Sequence, residues 1–201
     1  MSSRVAKCIS NDCQFNTNLK NSIINGCRSC NVKYLSDKQC DCSGSTALIT
    51  VLRYNKIIVA NVGGSRAMVI TREGQIKYTV DHKPSNKHER HRIQRRGGYI
   101  TKAKIPRVNG QLAMSRAMGD KNIAMYISSR PDTYEFDVFD EDPPVYIILG
   151  SDGLWDCINE LEILTELKTN GTTAAQASAL TQLALRRGST DNISCIVIDL
   201  K

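Results

Sequence analysis

Short apolar runs separated by turn residues fill the middle of this 201-residue chain and return near its C-terminus. Runs of this length, bounded by glycine, asparagine or charged residues, are typical of β-strands. They predict strands at 46–52, 57–62, 66–70, 75–80, 145–149 and 193–198. Because short turns join the first four of these runs, the pattern predicts an antiparallel meander in that part of the chain.

Apolar positions with helical spacing occupy the regions before, between and after these runs. They predict helices at 3–16, 20–35, 81–98, 160–167 and 173–187. The last helix has the clearest signals, because Thr172 is placed to cap its start and Gly188 follows two arginines in its final turn. Strands with helices grouped between them predict an α+β fold in a single domain, 1–201.

Composition agrees with an ordinary globular protein, since 41% of the residues are hydrophobic and 23% are charged. No apolar run approaches the roughly 20 residues that span a bilayer, and the first residues lead into no signal-like segment. These features predict an intracellular protein of the cytoplasm or nucleus without membrane association. The net charge of +7 is compatible with acidic or phosphorylated partners.

Cysteines are concentrated at the N-terminal end, where six of the eight occupy positions 8, 13, 27, 30, 40 and 42. Without a sign of secretion, reduced thiols are the expected state rather than a disulfide framework. Cys27 and Cys30 form a lone CxxC, and the other spacings do not complete a zinc site of four ligands. We therefore interpret these cysteines as small apolar or surface thiols.

Positive charge is concentrated in segment 81–98. Its cationic residues are Lys83, Lys87, Arg90, Arg92, Arg95 and Arg96. A solvated helix face is the simplest interpretation, and nucleic-acid binding is disfavoured because the segment has no aromatic residue on which a base could stack. His82, His88 and His91 lie in the same segment without other metal ligands, so we expect them to cap or solvate the helix.

Two acidic turns follow or precede buried strands. Asp152 comes directly after the run 145–149, and Asp191 precedes the run 193–198. Carboxylates at the ends of two core strands can be aimed by a rigid element and could share one hard cation. These two aspartates are therefore the candidate metal ligands that the pattern itself indicates.

Six separated motifs then occur in a recognisable order. They are Ser-Gly-Ser-Thr-Ala at 43–47, Ala-Asn-Val-Gly-Gly-Ser-Arg-Ala at 60–67, Asp-His-Lys-Pro at 81–84, the segment 107–120 ending in Ser-Arg-Ala-Met-Gly-Asp, Ser-Asp-Gly-Leu-Trp-Asp at 151–156 and Gly-Ser-Thr-Asp-Asn at 188–192. In this order they resemble the metal-dependent type 2C protein serine/threonine phosphatases, the PPM family. The sequence Gly-Gln-Leu-Ala-Met at 110–114 is similar to that of plant members of the family.

The resemblance implies a β-sandwich of two antiparallel sheets flanked by helices, with two Mg²⁺ or Mn²⁺ ions at one end. In the family, those ions share a water that attacks phosphoserine or phosphothreonine in proteins. By motif, Asp152 resembles a ligand of the first metal ion that also reaches a third metal ion. Asp191 resembles the other ligand of the first metal ion. Asp156 resembles a ligand of the third metal ion. Arg116 and Asp120 resemble residues that hold their loop together.

Departures from the family pattern are concentrated at the metal centre. The Asp-Gly-His-Gly-Gly loop, the upstream phosphate-binding arginine and a nearby Glu-Asp pair are absent, and Gly64 stands where the third-metal aspartate belongs. We therefore expect a sandwich that is N-terminally truncated, weak metal binding and no catalytic residue of its own. Three hypotheses follow: a phosphatase with weak or no activity, a pseudophosphatase that binds phosphoproteins or protein kinases, and a truncated product without its own function.

Overall fold

The computed structural model describes residues 2–169 and 171–201. Its helices are α1 Ser2–Ser10, α2 Leu19–Ser36, α3 Lys87–Arg95, α4 Asp152–Trp155, α5 Glu160–Thr169 and α6 Thr173–Arg186. Its strands are β1 Gly44–Ser45, β2 Ala47–Arg53, β3 Lys56–Val62, β4 Arg66–Thr71, β5 Ile76–Tyr78, β6 Met118–Gly119, β7 Asp132–Asp137, β8 Pro144–Gly150 and β9 Cys195–Asp199. The predicted α+β fold, with antiparallel sheets flanked by helices, is confirmed.

The chain forms two compact units. Unit 1 contains the chain through Thr50 together with Ile58–Gly64 and Asp81–Tyr134, and unit 2 contains Val51–Ile57, Ser65–Val80 and Glu135–Lys201. The single domain expected from the sequence stays a prediction.

Unit 2 is built on a four-stranded antiparallel sheet of order β5-β4-β8-β9. Its central strands are buried because their side chains are apolar on both faces, as the run 145–149 indicated. Helices α4, α5 and α6 contribute side chains to the core on one face of this sheet. The buried members of that core are Met68, Ile70, Ile148, Leu154, Ile158, Ile163, Leu167, Leu180, Ala184 and Val197.

Unit 1 contains the packed pair α1 and α2, and close approach of their backbones depends on a glycine. A Cβ atom at Gly26 would lie 2.5 Å from Ile9 Cγ1 and 2.8 Å from its Cα. The Ser22 hydroxyl donates to the Ile9 carbonyl at 2.8 Å, which gives this carbonyl a hydrogen-bond partner where the two helices meet. A second apolar cluster surrounds α3 and consists of Ile93, Val108, Ala117, Ile123 and Ile127.

The predicted meander is wrong, because the four strands belong to two sheets. Strand β3 lies between β2 and β7, whereas β4 lies between β5 and β8. The chain leaves β3 at Gly63, whose φ of +109° favours glycine and whose Cβ would lie 2.5 Å from Thr46 Cγ2. Short β1, β6 and α4, as well as β7, were not anticipated from the sequence.

Two predicted helices are shorter than their apolar spacing indicated. Helix α1 ends at Ser10, and α3 begins at Lys87. The Asn86 side chain accepts from the His88 N–H at 3.0 Å, which sets the start of α3, and Pro84 precedes it. Within the described residues, no helix has both the length and the apolar character that a membrane span requires.

All eight cysteines are free thiols. Burial raises the pKa of the Cys27 thiol to about 12 and also raises that of Cys30. At neutral pH both remain protonated and pack as small apolar side chains in α2, in agreement with their interpretation from the sequence.

The core of unit 2 yields a stability prediction. Ile148 is fully buried, so Ile148→Ala should lower the free energy of unfolding by about 3 kcal/mol through lost burial and a residual cavity. Ile196 in β9 is 57% exposed, and Ile196→Ala should cost less than about 1 kcal/mol. Urea unfolding followed by circular dichroism compares the two; equal losses would contradict the described core.

Candidate functional site

The turn after β8 is tied to the segment before β9 by one serine. Main-chain Ser151 N–H donates to the Ser194 carbonyl at 3.1 Å, one step beyond the last pair of the ladder. The Ser151 hydroxyl accepts from the Ser194 N–H and donates to the Asn192 carbonyl, both at 3.0 Å. Trp155 Nε1 donates to the Gly150 carbonyl at 2.9 Å, which fixes the turn from its other side.

Gly153 permits the close approach of this turn to the loop that carries Asp191. A Cβ atom at Gly153 would lie 2.7 Å from the Asn192 carbonyl oxygen and 3.3 Å from Asp191 Cβ. Ser189 Oγ donates to the Gly153 carbonyl at 2.8 Å and adds a second link. The structure therefore brings the segments of Asp152 and Asp191 together, as their positions at strand ends predicted.

The three aspartates predicted as metal ligands all lie on this surface of unit 2. Asp152, Asp156 and Asp191 are exposed, and Asp156 N–H donates to the Asp152 carbonyl at 2.9 Å, one helical turn away. Asp152 Oδ1 also accepts from the Gly153 N–H at 3.1 Å, and Asp191 Oδ1 from the Asn192 N–H at 2.7 Å. These bonds orient one carboxylate oxygen of Asp152 and one of Asp191.

Residues 2–169 and 171–201 contain no group of three or more His, Cys, Asp or Glu arranged to hold a metal ion. Oxygen ligands from carboxylates suit Mg²⁺ and Mn²⁺, and the turn and loop offer two of them. A centre of two metal ions needs further ligands that these residues do not complete. The assignment of Asp152, Asp156 and Asp191 as ligands therefore stays a prediction.

Gly64 is buried in unit 1, and the space beside it is filled by a methionine. A Cβ atom at Gly64 would lie 2.7 Å from Met114 Sδ and 2.9 Å from its Cε. Any larger side chain at position 64 would have to displace that thioether. Because Sδ and Cε are the far end of a flexible side chain, a shift of Met114 could make room for a larger residue.

Unit 1 also contains a buried carboxylate that the sequence did not single out. Glu89 in α3 accepts from the Ser115 hydroxyl at 2.6 Å and forms ion pairs with Arg92 at 2.7 Å and Arg116 at 2.8 Å. A buried charge is stable only when it is paired and hydrogen-bonded. One feature of the sequence could have indicated that Glu89 is buried. Glu89 lies four residues before Ile93 and therefore on the same, apolar face of an otherwise polar helix.

The same network continues through Arg116 to a buried histidine. Arg116 Nη1 pairs with Asp132 Oδ1 at 2.7 Å, and His82 Nε2 lies 3.1 Å from Asp132 Oδ2. His82 Nδ1 accepts from the Gly63 N–H at 3.0 Å, so Nε2 carries the proton and donates to the carboxylate. His82 is only 2% exposed, and the expectation that it solvates the helix is wrong.

Both carboxylates of the network have lowered pKa values. Burial alone would raise the pKa of Glu89, but hydrogen bonds from Arg116 and Ser115 and the positive charges of Arg116 and Arg92 hold it below its ordinary value. The hydrogen bond from His82, followed by the charge of Arg116, lowers the pKa of Asp132 strongly. Both groups are therefore ionised at neutral pH.

Asp120 closes the motif 107–120. It adopts φ +51°, and its N–H donates to the Ser43 carbonyl at 2.8 Å. Its carboxyl lies against Gly44, where a Cβ atom would come 1.9 Å from Oδ2, and burial raises the pKa of that carboxyl. These contacts, with the ion pairs of Arg116, agree with the loop-holding roles that the resemblance implied.

Comparison with known proteins places these features in a family. The family model "Protein phosphatase 2C" matches residues 1–193. "Probable protein phosphatase 2C 44" of Oryza sativa subsp. japonica is 42% identical over 189 residues, covering 92% of this chain and 58% of that protein. "Probable protein phosphatase 2C 69" of Arabidopsis thaliana is 40% identical over 157 residues, covering 78% of this chain and 44% of that protein.

Solved structures of other proteins have a similar fold. A C. elegans sex determining protein matches with a TM-score of 0.81 and 26% identity over 98% of this chain and 50% of its own. Serine-threonine phosphatase 2C from Toxoplasma gondii matches with a TM-score of 0.77 and 25% identity, over 99% and 75% respectively. The chain spans 58% and 54% of the first two curated relatives, so it corresponds to about half of each.

The approach of turn and loop can be tested at Gly153. Gly153→Ala should destabilise the protein by about 1–3 kcal/mol because the new methyl group would collide with the Asn192 carbonyl, even though alanine favours helix. Gly171→Ala is the control, because a Cβ atom there would meet nothing within 4 Å. Thermal unfolding of both variants measures the effect; an unchanged Gly153→Ala protein would mean that turn and loop are not in contact.

The buried network predicts a dependence on pH. Because the folded pKa of Glu89 is lowered, its contribution is fully present above the unfolded pKa of about 4.3 and is lost as the pH falls through the folded value. Glu89→Gln should therefore cost about 3 kcal/mol at pH 7. The difference from the unsubstituted protein should shrink below about pH 4.

Urea unfolding at pH 7 and pH 3 measures both quantities, with the exposed Glu141→Gln as the control. A difference for Glu89→Gln that stays constant between the two pH values would contradict the ionised, paired state of this carboxylate.

Proposed function

This chain belongs to the protein phosphatase 2C family, and from that premise we propose that it is a type 2C protein serine/threonine phosphatase-like protein whose activity in these 201 residues is weak or absent. Its substrate class is phosphoserine and phosphothreonine in proteins. The observation that supports the proposal is the contact between the Asp152 turn and the Asp191 loop. Ser151 and Gly153 hold two of the family's characteristic motifs side by side.

The proposed roles of the aspartates follow from their chemistry. Asp152 and Asp191 would hold one Mg²⁺ or Mn²⁺ ion, and Asp156 would contribute to a further, looser site. When bound, such ions polarise a phosphoryl oxygen and lower the pKa of a bound water. The residues of this chain would supply negative charge and orientation, because the Gly153 and Asn192 N–H groups each fix one carboxylate oxygen.

Weak binding is proposed because two carboxylates leave most of a hard cation's ligand shell to water. Mg²⁺ and Mn²⁺ take about six oxygen ligands, and repulsion between two carboxylates is relieved only partly by one hydrated ion. A missing charge stabiliser commonly costs a factor of about 10²–10³ in rate. Hydrolysis by these residues alone is therefore proposed to be absent or marginal.

A second candidate function is a pseudophosphatase that binds phosphoproteins or protein kinases without hydrolysis. The observation that favours it is Gly64, which stands where the family's third-metal aspartate belongs and cannot ligate through a side chain.

Metal binding and activity test the proposal together. Calorimetric titration with Mn²⁺ should give weak binding that Asp152→Asn and Asp191→Asn each reduce, while the exposed control Asp140→Asn leaves it unchanged. Hydrolysis of a phosphothreonine peptide in Mn²⁺ should be absent or marginal. Two tight sites, or a substantial rate abolished by Asp152→Ala and Asp191→Ala, would contradict the proposal of weak activity.

A further inference from the structure

A recess in unit 1 lies between the start of α2, the face of α3 and segment 128–134, and its volume is about 690 Å³. Six cationic side chains and two carboxylates line it, together with His88 and Tyr134. The cations are Lys20, Arg92, Arg95, Arg96, Arg116 and Arg130, and the carboxylates are Glu89 and Asp132. This basic pocket uses none of the aspartates assigned to metal binding.

The carboxylates of the basic pocket neutralise only part of its positive charge. Glu89 pairs with Arg92 and Arg116, and Asp132 pairs with Arg116. The Arg96 guanidinium donates to the Ile127 carbonyl, which is neutral. Burial lowers the pKa of Arg92; the Glu89 carboxylate opposes this shift, and the Arg116 and Arg96 charges add to it.

Three cations on three separate segments remain available to a ligand. Lys20 lies in the first turn of α2, Arg95 in the last turn of α3, and Arg130 before β7; all three are exposed. Among the residues that the structure describes, no carboxylate pairs with any of them. An anion in the basic pocket would give these cations a partner of opposite charge.

We propose that the basic pocket binds a phosphorylated serine or threonine within an acidic peptide segment of a partner protein. A phosphate group carries about 1.5–2 negative charges and three strong acceptor oxygens, and arginine forks match its geometry. Clusters of arginine are a recurring mode of recognising phosphorylated and acidic motifs. Flanking acidic residues of the peptide would face the cations at the rim.

Nucleic acid fits this pocket less well. Its phosphates recur along a line and are matched by cations spread along a surface, with aromatic side chains for stacking where bases are single-stranded. Here the cations enclose a recess, and Tyr134 is the aromatic residue among its lining residues. A peptide that presents one dianionic side chain suits a concave site of this size better.

The test separates this binding from hydrolysis. Fluorescence anisotropy would measure the binding of a labelled peptide that has one phosphoserine flanked by glutamates. The buffer contains EDTA, so that no metal-dependent reaction contributes. The pocket variant is Lys20→Gln with Arg95→Gln and Arg130→Gln. The control variant is Lys38→Gln with Lys87→Gln and Arg90→Gln, which removes the same charge from exposed positions outside the pocket lining.

The pocket variant should raise the Kd of the phosphopeptide at least about tenfold, because charge-assisted hydrogen bonds to phosphate are lost. The control variant should leave the Kd within about twofold, and the unphosphorylated peptide should bind the unsubstituted protein more weakly. Equal losses in both variants would show general charge attraction and overturn the proposal. No saturable binding, or tighter binding of a single-stranded RNA of equal charge, would also overturn it.

Discussion

Pairing between β8 and β9 is the constraint on which the candidate site depends. The hydrogen-bonded ladder fixes the register of the two strands, and Ser151 and Ser194 extend it by one step beyond the last pair. A shift of register by one residue would turn every side chain of a strand to the opposite face. The segments of Asp152 and Asp191 therefore meet because the sheet places them together.

The sequence predicted most of unit 2 because its strands are long apolar runs. The run 145–149 is central in the sheet, and the helix at 173–187 was located to within one residue by its cap and its terminal glycine. The exchange of sheets at Gly63 was missed, because local turn signals do not specify which strands pair over long range. Short strands such as β1 and β6 have no periodicity of their own to detect.

The polar network of unit 1 shows a different limit of sequence reasoning. Arg116 could be associated with its loop by motif, but its partners Glu89 and Asp132 are 27 and 16 residues away. His82 was expected in solvent because polar residues surround it in sequence, whereas the fold buries it against Asp132 and Gly63. Charged residues acquire buried partners through tertiary contacts, and composition of a segment does not specify those contacts. For the same reason, the basic pocket could not be predicted from the sequence.

The central proposal is that Asp152 and Asp191 bind one cation together. Paramagnetic broadening by Mn²⁺ in a two-dimensional ¹H–¹⁵N NMR spectrum tests this most directly. We predict that the amide signals of Gly153 and Asn192 are lost first as Mn²⁺ is added, and that Asp152→Asn and Asp191→Asn each restore both. Broadening that begins elsewhere, or that only one of the two substitutions affects, would contradict a shared site.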